Sequence, residues 1–381
     1  MDLALDHDQR LIVDTAERLL ADAASSSATR AAADAADGID RALWRQMAAM
    51  GWCGVHLPEA QGGLGLGIVE LALLQEQLGR RLACVPFFDS VVLAGTLLRE
   101  AADAQAQGRW LPALAAGESI AALADENRSD NDSGTAHATP DNGAWTLAGE
   151  WPRTGSAAQA DLLLLPARST DGEALLFAVA PTVQGLQIKE RPTIDRTRRC
   201  AAVQALGVRL DGHALVARGP RLEAAVRRAR GIAAVALAAE QLGVAQQCLT
   251  MSVAYAKERV QFGQPIAAFQ AVKHRCAQMM VAVEGARSAV YGAAAQCDTA
   301  VDSGGDAAAL DFHAALARVE ATEAAQFCAQ EAIQLHGGVG FTWEYDPHLY
   351  FKRAQASSQR LAPVSVWCER VAAQLLDGPT A

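Results

Sequence analysis

Two segments in the C-terminal third of the chain combine residue types that could hold a phosphorylated ligand. The first follows a long Ala-rich helical pattern and contains Arg259, Gln261, Phe262, Gly263 and Pro265. A guanidinium at a helix end can donate two parallel hydrogen bonds to a diphosphate, and a Phe ring can pack on an adenine face. The alternative is a plain helix end, where Arg complements the helix dipole and Gly and Pro stop the helix. On these residues alone that alternative is the commoner case.

The second segment is rich in glycine. It begins at Gln334 and includes Gly337, Gly338 and Gly340. Closely spaced glycines let backbone N–H groups approach a ligand, which suits phosphate or ribityl oxygens. The alternative is a tight turn between two helices. The glycine motif of a Rossmann unit is excluded because no strand is predicted before the segment. His336 lies inside it, and we assign that side chain to loop packing rather than to acid–base catalysis.

No residues are spaced as metal ligands. The His, Asp and Glu residues form no cluster with metal-site spacing, and the eight cysteines form no metal or redox motif. Scattered cysteines of this kind are typical of small buried thiols in a reducing compartment. We therefore expect no metal.

Composition limits the class of protein. The chain has 381 residues, of which 51% are hydrophobic and only 5% aromatic, and it is rich in Ala. This predicts a mostly helical protein with two or three packed units. The net charge of −10 argues against nucleic acid as a partner. The longest apolar run, residues 232–239, is too short to span a bilayer, and the N-terminus lacks the pattern of a signal peptide. We predict a cytoplasmic protein without a membrane segment.

The first two predicted domains differ in pattern. Residues 1–117 are predicted as a helical domain, with helices over 9–24, 43–50 and 68–78, the last ended by Gly79, while the small and polar residues 25–37 are expected to fray. Residues 118–220 are predicted as a β domain, a barrel or sandwich. Asn142-Gly143 marks a hairpin in it, and further strands are predicted over 162–165, 175–178, 186–188 and 203–208.

Residues 221–381 are predicted as a C-terminal helical bundle. Four long helices are expected over 222–258, 266–300, 306–335 and 347–376, with Gly304-Gly305 between the second and the third. The predicted fold class is therefore mostly α with a central β domain.

Taken together, these segments resemble the acyl-CoA dehydrogenase family over essentially the whole chain. The resemblance rests on the two C-terminal segments and on further motifs at 43–52, 58–65, 75–79, 110–118 and 342–354. No single motif decides it, but their order and spacing are specific. It implies an N-terminal helical domain, a β-barrel or sandwich and a C-terminal four-helix bundle.

The resemblance also implies a cofactor, a reaction and partners. The cofactor would be FAD, and the reaction the oxidation of an acyl-CoA thioester to the α,β-enoyl-CoA in fatty acid or lipid catabolism. The expected partners are the acyl-CoA, an electron-transfer flavoprotein and further subunits of a homo- or hetero-oligomer, as a dimer or tetramer. Residues that bind the adenine end of FAD held by a neighbouring subunit would be Arg259, Gln261, Phe262, Gln334, Gly337, Gly338 and Gly340.

The carboxylate that removes the α-proton is absent where the family keeps it. In most members it follows the helix that here contains Arg353, at a position near Ala362. A smaller group carries it on the first bundle helix, here near Ala233 and Ala234. An Ala methyl cannot accept a proton, so the catalytic residue is not identified.

Segments that contact the chain's own flavin in the family are also altered. The Thr-Glu-Pro-x-x-Gly-Ser-Asp stretch becomes residues 124–130 without its Thr, Pro and Gly. The Trp-x-Thr motif becomes 151–154, where only Thr154 keeps a flavin-binding assignment. One interpretation is a degenerate subunit of a hetero-oligomer that serves the neighbour's FAD. The other is an active homo-oligomer with its base elsewhere. Glu240 and Glu369 are weak candidates for that base, and we predict both on solvated helix faces.

Overall fold

The computed structural model describes residues 4–124, 136–303 and 307–376. These residues pack as two compact units. The bundle unit comprises the described residues of 1–31, 68–83 and 234–381, and the sheet unit comprises those of 32–67 and 84–233. The predicted fold class, mostly α with a central β domain, is confirmed. The domain limits at 117/118 and 220/221 stay predictions.

The helices of the described chain differ from the predicted ones at three places. They are α1 (His7–Ala23), α2 (Ser26–Asp34), α3 (Arg41–Ala49), α4 (Ile68–Arg80), a π-helix (Phe88–Gly95), α5 (Thr96–Ala101), α6 (Ala104–Ala115), α7 (Gly219–Glu258), α8 (Gln270–Ser303), α9 (Ala307–His336), α10 (Pro347–Ser358) and α11 (Val364–Leu376). The stretch predicted to fray contains α2. Gly79 lies inside α4 rather than after it. The predicted fourth bundle helix is two helices, since Leu361 has a left-handed φ of 64° and Pro363 cannot continue a helix. The predicted break at Gly304-Gly305 lies outside the described residues.

The strands of the sheet unit form one sheet. They are β1 (Ala121–Leu123), β2 (His137–Asp141), β3 (Ala144–Gly155), β4 (Leu162–Ser169), β5 (Ala174–Val179), β6 (Leu186–Arg191), β7 (Cys200–Asp211) and β8 (Leu215–Arg218). The order is β6-β7-β3-β2-β4-β5-β8, with β1 parallel to β4. The hairpin predicted at Asn142-Gly143 joins β2 to β3, and both turn residues have positive φ (48° and 82°), as a tight two-residue turn requires.

Successive Leu side chains of β4 pack alternately on the two faces of this sheet. Leu163 and Leu165 pack in a cluster made by the other strands, while Leu162 and Leu164 pack with Leu57, the helical residues between Ala94 and Ala115 and the start of α7. Successive strand residues point to opposite faces, so a continuous Leu run is the pattern of a strand buried on both sides.

In the bundle unit, α4 and α7 approach each other at two glycines. A Cβ on Gly79 would lie 2.2 Å from the Glu240 carbonyl oxygen, and a Cβ on Gly243 would lie 2.0 Å from the Glu76 carbonyl oxygen. Only a residue without a side chain permits backbones this close. Gly79 is therefore a packing residue and not a helix stop.

We expect Gly79→Ala to destabilise the protein by about 1–3 kcal/mol, the usual cost of forcing extra atoms into a packed site. Gly292→Ala on α8 is the matched control, because a Cβ there meets no atom within 4 Å. That change should stabilise the helix by roughly 0.5–1 kcal/mol. Denaturant unfolding of both variants measures the difference, and equal shifts would show that the helices separate at Gly79 in solution.

One helix in the described part of the chain, α7, is long and apolar enough to span a membrane by length and composition. However, 89% of its most apolar window is buried inside the protein. This is weak evidence for a membrane span, because a core helix that is apolar on all sides meets the same criteria.

Candidate functional site: a hairpin and a glycine turn at two helix ends

Arg259 precedes a short hairpin at the end of α7. Strands β9 (Val260–Gln261) and β10 (Gln264–Pro265) pair antiparallel, and Phe262 and Gly263 form the turn with φ of 53° and 79°. A Phe with positive φ is uncommon, because its Cβ crowds the backbone there. This turn leaves the Phe262 ring 92% exposed. The Phe262 ring meets the Phe269 ring edge to face, with centroids 6.0 Å apart, and the hairpin still displays most of this aromatic surface to solvent.

The polar groups of this hairpin are also available. Arg259 is exposed, and its guanidinium has no acceptor or ion-pair partner within the described ranges. Gln261 is exposed and donates from its side chain to the Val260 carbonyl at 2.8 Å. An unpaired guanidinium can bind phosphate groups, and a neighbouring exposed aromatic ring can pack on a planar base. The two together suit an adenine nucleotide.

The glycine turn follows α9 directly. Residues Gly337–Phe341 form a 3₁₀ turn, and Gly337 has a left-handed φ of 64°. Gly337 and Gly338 are exposed, and a Cβ on either would meet no atom within 4 Å. Gly340 differs, because it is buried and a Cβ there would lie 3.0 Å from the Ile333 carbonyl oxygen. The first two glycines therefore leave open backbone for a ligand, while Gly340 packs against α9. Gln334, on the last turn of α9, is exposed.

The structure brings the two segments together through a pair of stacked rings. Tyr255, one turn before Arg259, lies parallel to His336 with ring centroids 4.2 Å apart. The Tyr255 hydroxyl donates to the His336 carbonyl at 3.4 Å. The backbone N–H of Arg259 in turn donates to the Tyr255 carbonyl at 2.8 Å. The ends of α7 and α9 are thereby fixed to each other, and we call the hairpin and the glycine turn together the paired loops.

His336 has the packing role predicted from the sequence. It is 7% exposed, and its Nδ1 lies 2.6 Å from the Ala332 carbonyl oxygen. Burial lowers the pKa of the imidazole, and the hydrogen bond to Ala332 opposes that shift only in part. The ring is neutral near pH 7 and stacked, so it is not placed to exchange protons with a ligand.

Thr154 belongs to the sheet unit and lies at the end of β3. It is fully buried, and its Oγ1 has no hydrogen-bond partner within the described residues. A buried hydroxyl without a partner is costly, so such an atom is a reasonable place for a ligand contact. The altered stretch 125–130, which would flank it by the resemblance, lies outside the described residues.

Neither of the two predicted positions of the base carries a carboxylate. Ala362 lies between α10 and α11, and its carbonyl accepts from Trp367 Nε1 at 3.2 Å. Ala233 and Ala234 are fully buried in α7. No group of three or more potential metal ligands converges within residues 4–124, 136–303 and 307–376.

Glu240 is a buried structural residue, so the prediction that it lies on a solvated helix face is wrong. It is 1% exposed and accepts from Gln75 Nε2 at 3.1 Å and Ser357 Oγ at 2.9 Å. Arg353, 2% exposed, lies 3.7 Å from the same carboxylate. Periodicity could not reveal this burial, because α7 is buried on every side around Glu240. The prediction for Glu369, which is exposed, is confirmed.

The chain matches two domain models of one protein family. Residues 6–118 match the model of the acyl-CoA dehydrogenase N-terminal domain, and residues 224–359 match that of the acyl-CoA dehydrogenase C-terminal domain. The chain belongs to the acyl-CoA dehydrogenase family. The enzyme class and cofactor predicted from the sequence, an oxidoreductase acting on CH–CH groups with FAD, are those of this family.

Individual relatives match nearly the full length of this chain. This chain is 33% identical over 377 residues to acyl-CoA dehydrogenase IpdE2 of Mycolicibacterium smegmatis, and the match covers 97% of this chain and 100% of the relative. Among solved structures, the Tcur3481–Tcur3483 steroid acyl-CoA dehydrogenase matches with a TM-score of 0.85 and 31% identity, covering 97% of this chain and 98% of that one. The ChsE4–ChsE5 complex of Mycobacterium tuberculosis matches with a TM-score of 0.89 and 26% identity, and the match covers 100% of this chain and 100% of the matched chain in the complex.

The stacking of Tyr255 on His336 is the feature of the paired loops that the sequence does not predict. The available signal was weak. Tyr255 lies four residues before Arg259, and His336 lies directly before Gly337. Nothing in either segment indicates that the two helix ends meet.

Proposed function

We propose that this chain is a subunit of an FAD-dependent acyl-CoA dehydrogenase that introduces the α,β double bond into an acyl-CoA thioester. Its paired loops complete the FAD site of a neighbouring subunit, and that neighbour contributes the catalytic base. The observation that carries the proposal is the contrast within one bundle unit. Arg259, Phe262, Gly337 and Gly338 are exposed, while Ala362 occupies one predicted position of the base.

The relatives support an assembly of two kinds of subunit. Two of the similar solved structures are described as pairs, Tcur3481–Tcur3483 and ChsE4–ChsE5. The first of these is a steroid acyl-CoA dehydrogenase. We therefore place this chain in a dimer or tetramer with a homologous partner and expect a bulky acyl group. An electron-transfer flavoprotein is the proposed electron acceptor, and the cytoplasm the proposed location.

The chain's own residues divide the work of holding the cofactor. FAD, when bound, supplies the oxidant that accepts the electrons leaving the acyl chain. Arg259 would bind the diphosphate through its unpaired guanidinium, and Phe262 would cover the adenine. The exposed backbone at Gly337 and Gly338 would approach the phosphates, and Gln334 and Gln261 would add hydrogen bonds at the same end. Thr154 would contact the chain's own flavin. The contribution of this chain is thus binding and orientation.

The rival function is an active homo-oligomer whose base has moved to Glu240. The contacts of Glu240 weigh against it. A base must accept a substrate proton directly or through one water, but Glu240 is enclosed and already engaged by Gln75, Ser357 and Arg353.

Assembly and flavin content test the proposed function directly. When this chain is co-expressed with a homologous partner, we expect the two to purify as one complex. We expect that complex to carry FAD and to oxidise acyl-CoA. Light scattering at low micromolar concentration should give a dimer or tetramer. A clean monomer that binds no flavin with or without a homologue would refute the proposal.

Arg259→Ala should weaken FAD binding by about 1.5–3 kcal/mol, the scale of a hydrogen bond to a charged group, or roughly 10- to 150-fold in dissociation constant. Gly338→Val should act similarly by blocking backbone approach, since the free space around Gly338 lets the fold accept the side chain. Lys257→Ala removes another exposed cation from the same helix end and is the control. Flavin titration of the assembly measures all three, and equal affinities for Arg259→Ala and the unaltered protein would remove Arg259 from the site.

A further inference from the structure

A buried carboxylate in the sheet unit has no part in the site described so far. Asp89 is 5% exposed and lies in the π-helix Phe88–Gly95. Carboxylates this buried are rare unless they are paired or hydrogen-bonded. The Ser156 hydroxyl donates to Asp89 Oδ2 at 2.5 Å, within the range of a hydrogen bond to an ionised oxygen. Asp89 therefore acts on the turn that follows β3.

Both sides of this contact have uncommon backbone conformations. Ser156 has φ 54° and ψ 16°, a left-handed conformation that residues other than Gly adopt at a cost. The eight residues that carry Asp89 form a π-helix, which is rare and frequent at functional sites. Two costly conformations that meet in one hydrogen bond indicate that the position of this turn is constrained.

The carboxylate also packs against the turn itself. A Cβ on Gly155 would lie 2.4 Å from Asp89 Oδ1, so only Gly allows the carboxylate this close. The Ser156 N–H donates to the Arg199 carbonyl at 3.1 Å, which holds the other side of the turn. Residues 155 and 156 are thereby fixed from two directions. The residue before them is Thr154, whose buried Oγ1 has no partner within the described residues.

We propose that Asp89 is a positioning residue for the flavin contact of this chain. It holds Ser156 in its left-handed conformation beside Gly155, and this turn keeps the Thr154 hydroxyl in place to hydrogen-bond FAD. The inference rests on the proposed function, because it assigns the Thr154 contact to that cofactor. It adds that this side of the chain is preorganised for a flavin even though the base is missing.

The alternative is that Asp89 only stabilises the sheet unit, as a structural pin. Removing its hydrogen bond to Ser156 would lower the unfolding temperature in either case, so a stability measurement alone does not distinguish the two roles. The visible absorption and circular dichroism of bound flavin do, because they respond to hydrogen bonds at the ring.

The experiment uses the assembled holoprotein with FAD as the probe. Ser156→Ala removes the donor, and Thr154→Val removes the hydroxyl at nearly constant shape. We expect both to change the flavin spectrum in the same direction and to raise the FAD dissociation constant roughly tenfold, the effect of one lost hydrogen bond. The double variant should do little more than either single one, since the two act on one contact. Asp89→Asn, which keeps an acceptor for Ser156, should retain most of the unaltered spectrum.

Asn142→Gly is the control, because Asn142 is another residue other than Gly with a left-handed φ and lies in the exposed turn between β2 and β3. Folded Ser156→Ala and Thr154→Val proteins with unchanged spectrum and FAD affinity would overturn the inference and leave a structural pin. In that case Arg259→Ala would still lose FAD, so the proposed function would stand. Failure of the unaltered assembly to bind FAD would instead refute the proposed function itself.

Discussion

Purified alone, this chain should oxidise acyl-CoA thioesters about 10²–10⁴-fold more slowly than an intact family member, even with FAD bound, because that is the usual loss when a general base is removed. The positions that would carry the base hold Ala362, Ala233 and Ala234, and the last two are fully buried. Initial rates with butyryl-CoA, octanoyl-CoA and a steroid side-chain CoA, measured with an artificial electron acceptor, test this expectation.

The matching control is to restore activity by adding a partner subunit that has the catalytic base. Co-expression with a homologue that keeps the base should recover turnover, whereas Ala362→Glu in the isolated chain should recover less. The added carboxylate supplies only the proton acceptor, while the altered stretch 124–130 is left as it is. Robust turnover by the chain alone would contradict the missing base and leave the family assignment intact.

Glu240→Ala should destabilise the protein by about 3–5 kcal/mol, the usual result of removing one partner of a buried ion pair. The change leaves Arg353, 2% exposed, without the carboxylate 3.7 Å away. It also takes the acceptor from Gln75 and Ser357. Denaturant unfolding of the assembly at fixed protein concentration measures the loss.

The matched control is Glu369→Ala, which removes an exposed carboxylate from α11. Exposed substitutions of this kind usually change stability by less than about 0.5 kcal/mol. Equal unfolding curves for the two variants would show that Glu240 is solvated after all. They would also reopen its candidacy as a relocated base.

Local chemistry made much of the fold predictable. The Asn142-Gly143 turn requires two positive φ angles, and those residue types accept them, so the hairpin was predicted at its observed place. The long helices of the bundle were found because Ala-rich segments favour helix wherever they lie. These features depend on a few neighbouring residues, which is the information that a single sequence contains.

Predictions failed where a distant segment determines the environment. The sequence predicts a helix stop at Gly79, but α4 continues to Arg80, and the Glu240 backbone packs against that glycine. Glu240 itself was placed in solvent, since nothing near it in sequence announces Arg353. Asp89 and Ser156, 67 residues apart, were not connected at all. The paired loops were identified through the family resemblance, and the rings that join them were not.

The central claim is that this chain completes a cofactor site but does not supply the base. Its most direct test is anaerobic reduction of the flavin by acyl-CoA in the assembled hetero-oligomer. The claim predicts that replacing the partner's catalytic carboxylate with Gln abolishes loss of the oxidised-flavin absorbance, while Glu240→Gln in this chain leaves it intact. Loss of flavin reduction in a folded Glu240→Gln assembly, with reduction preserved in the partner variant, would contradict the account.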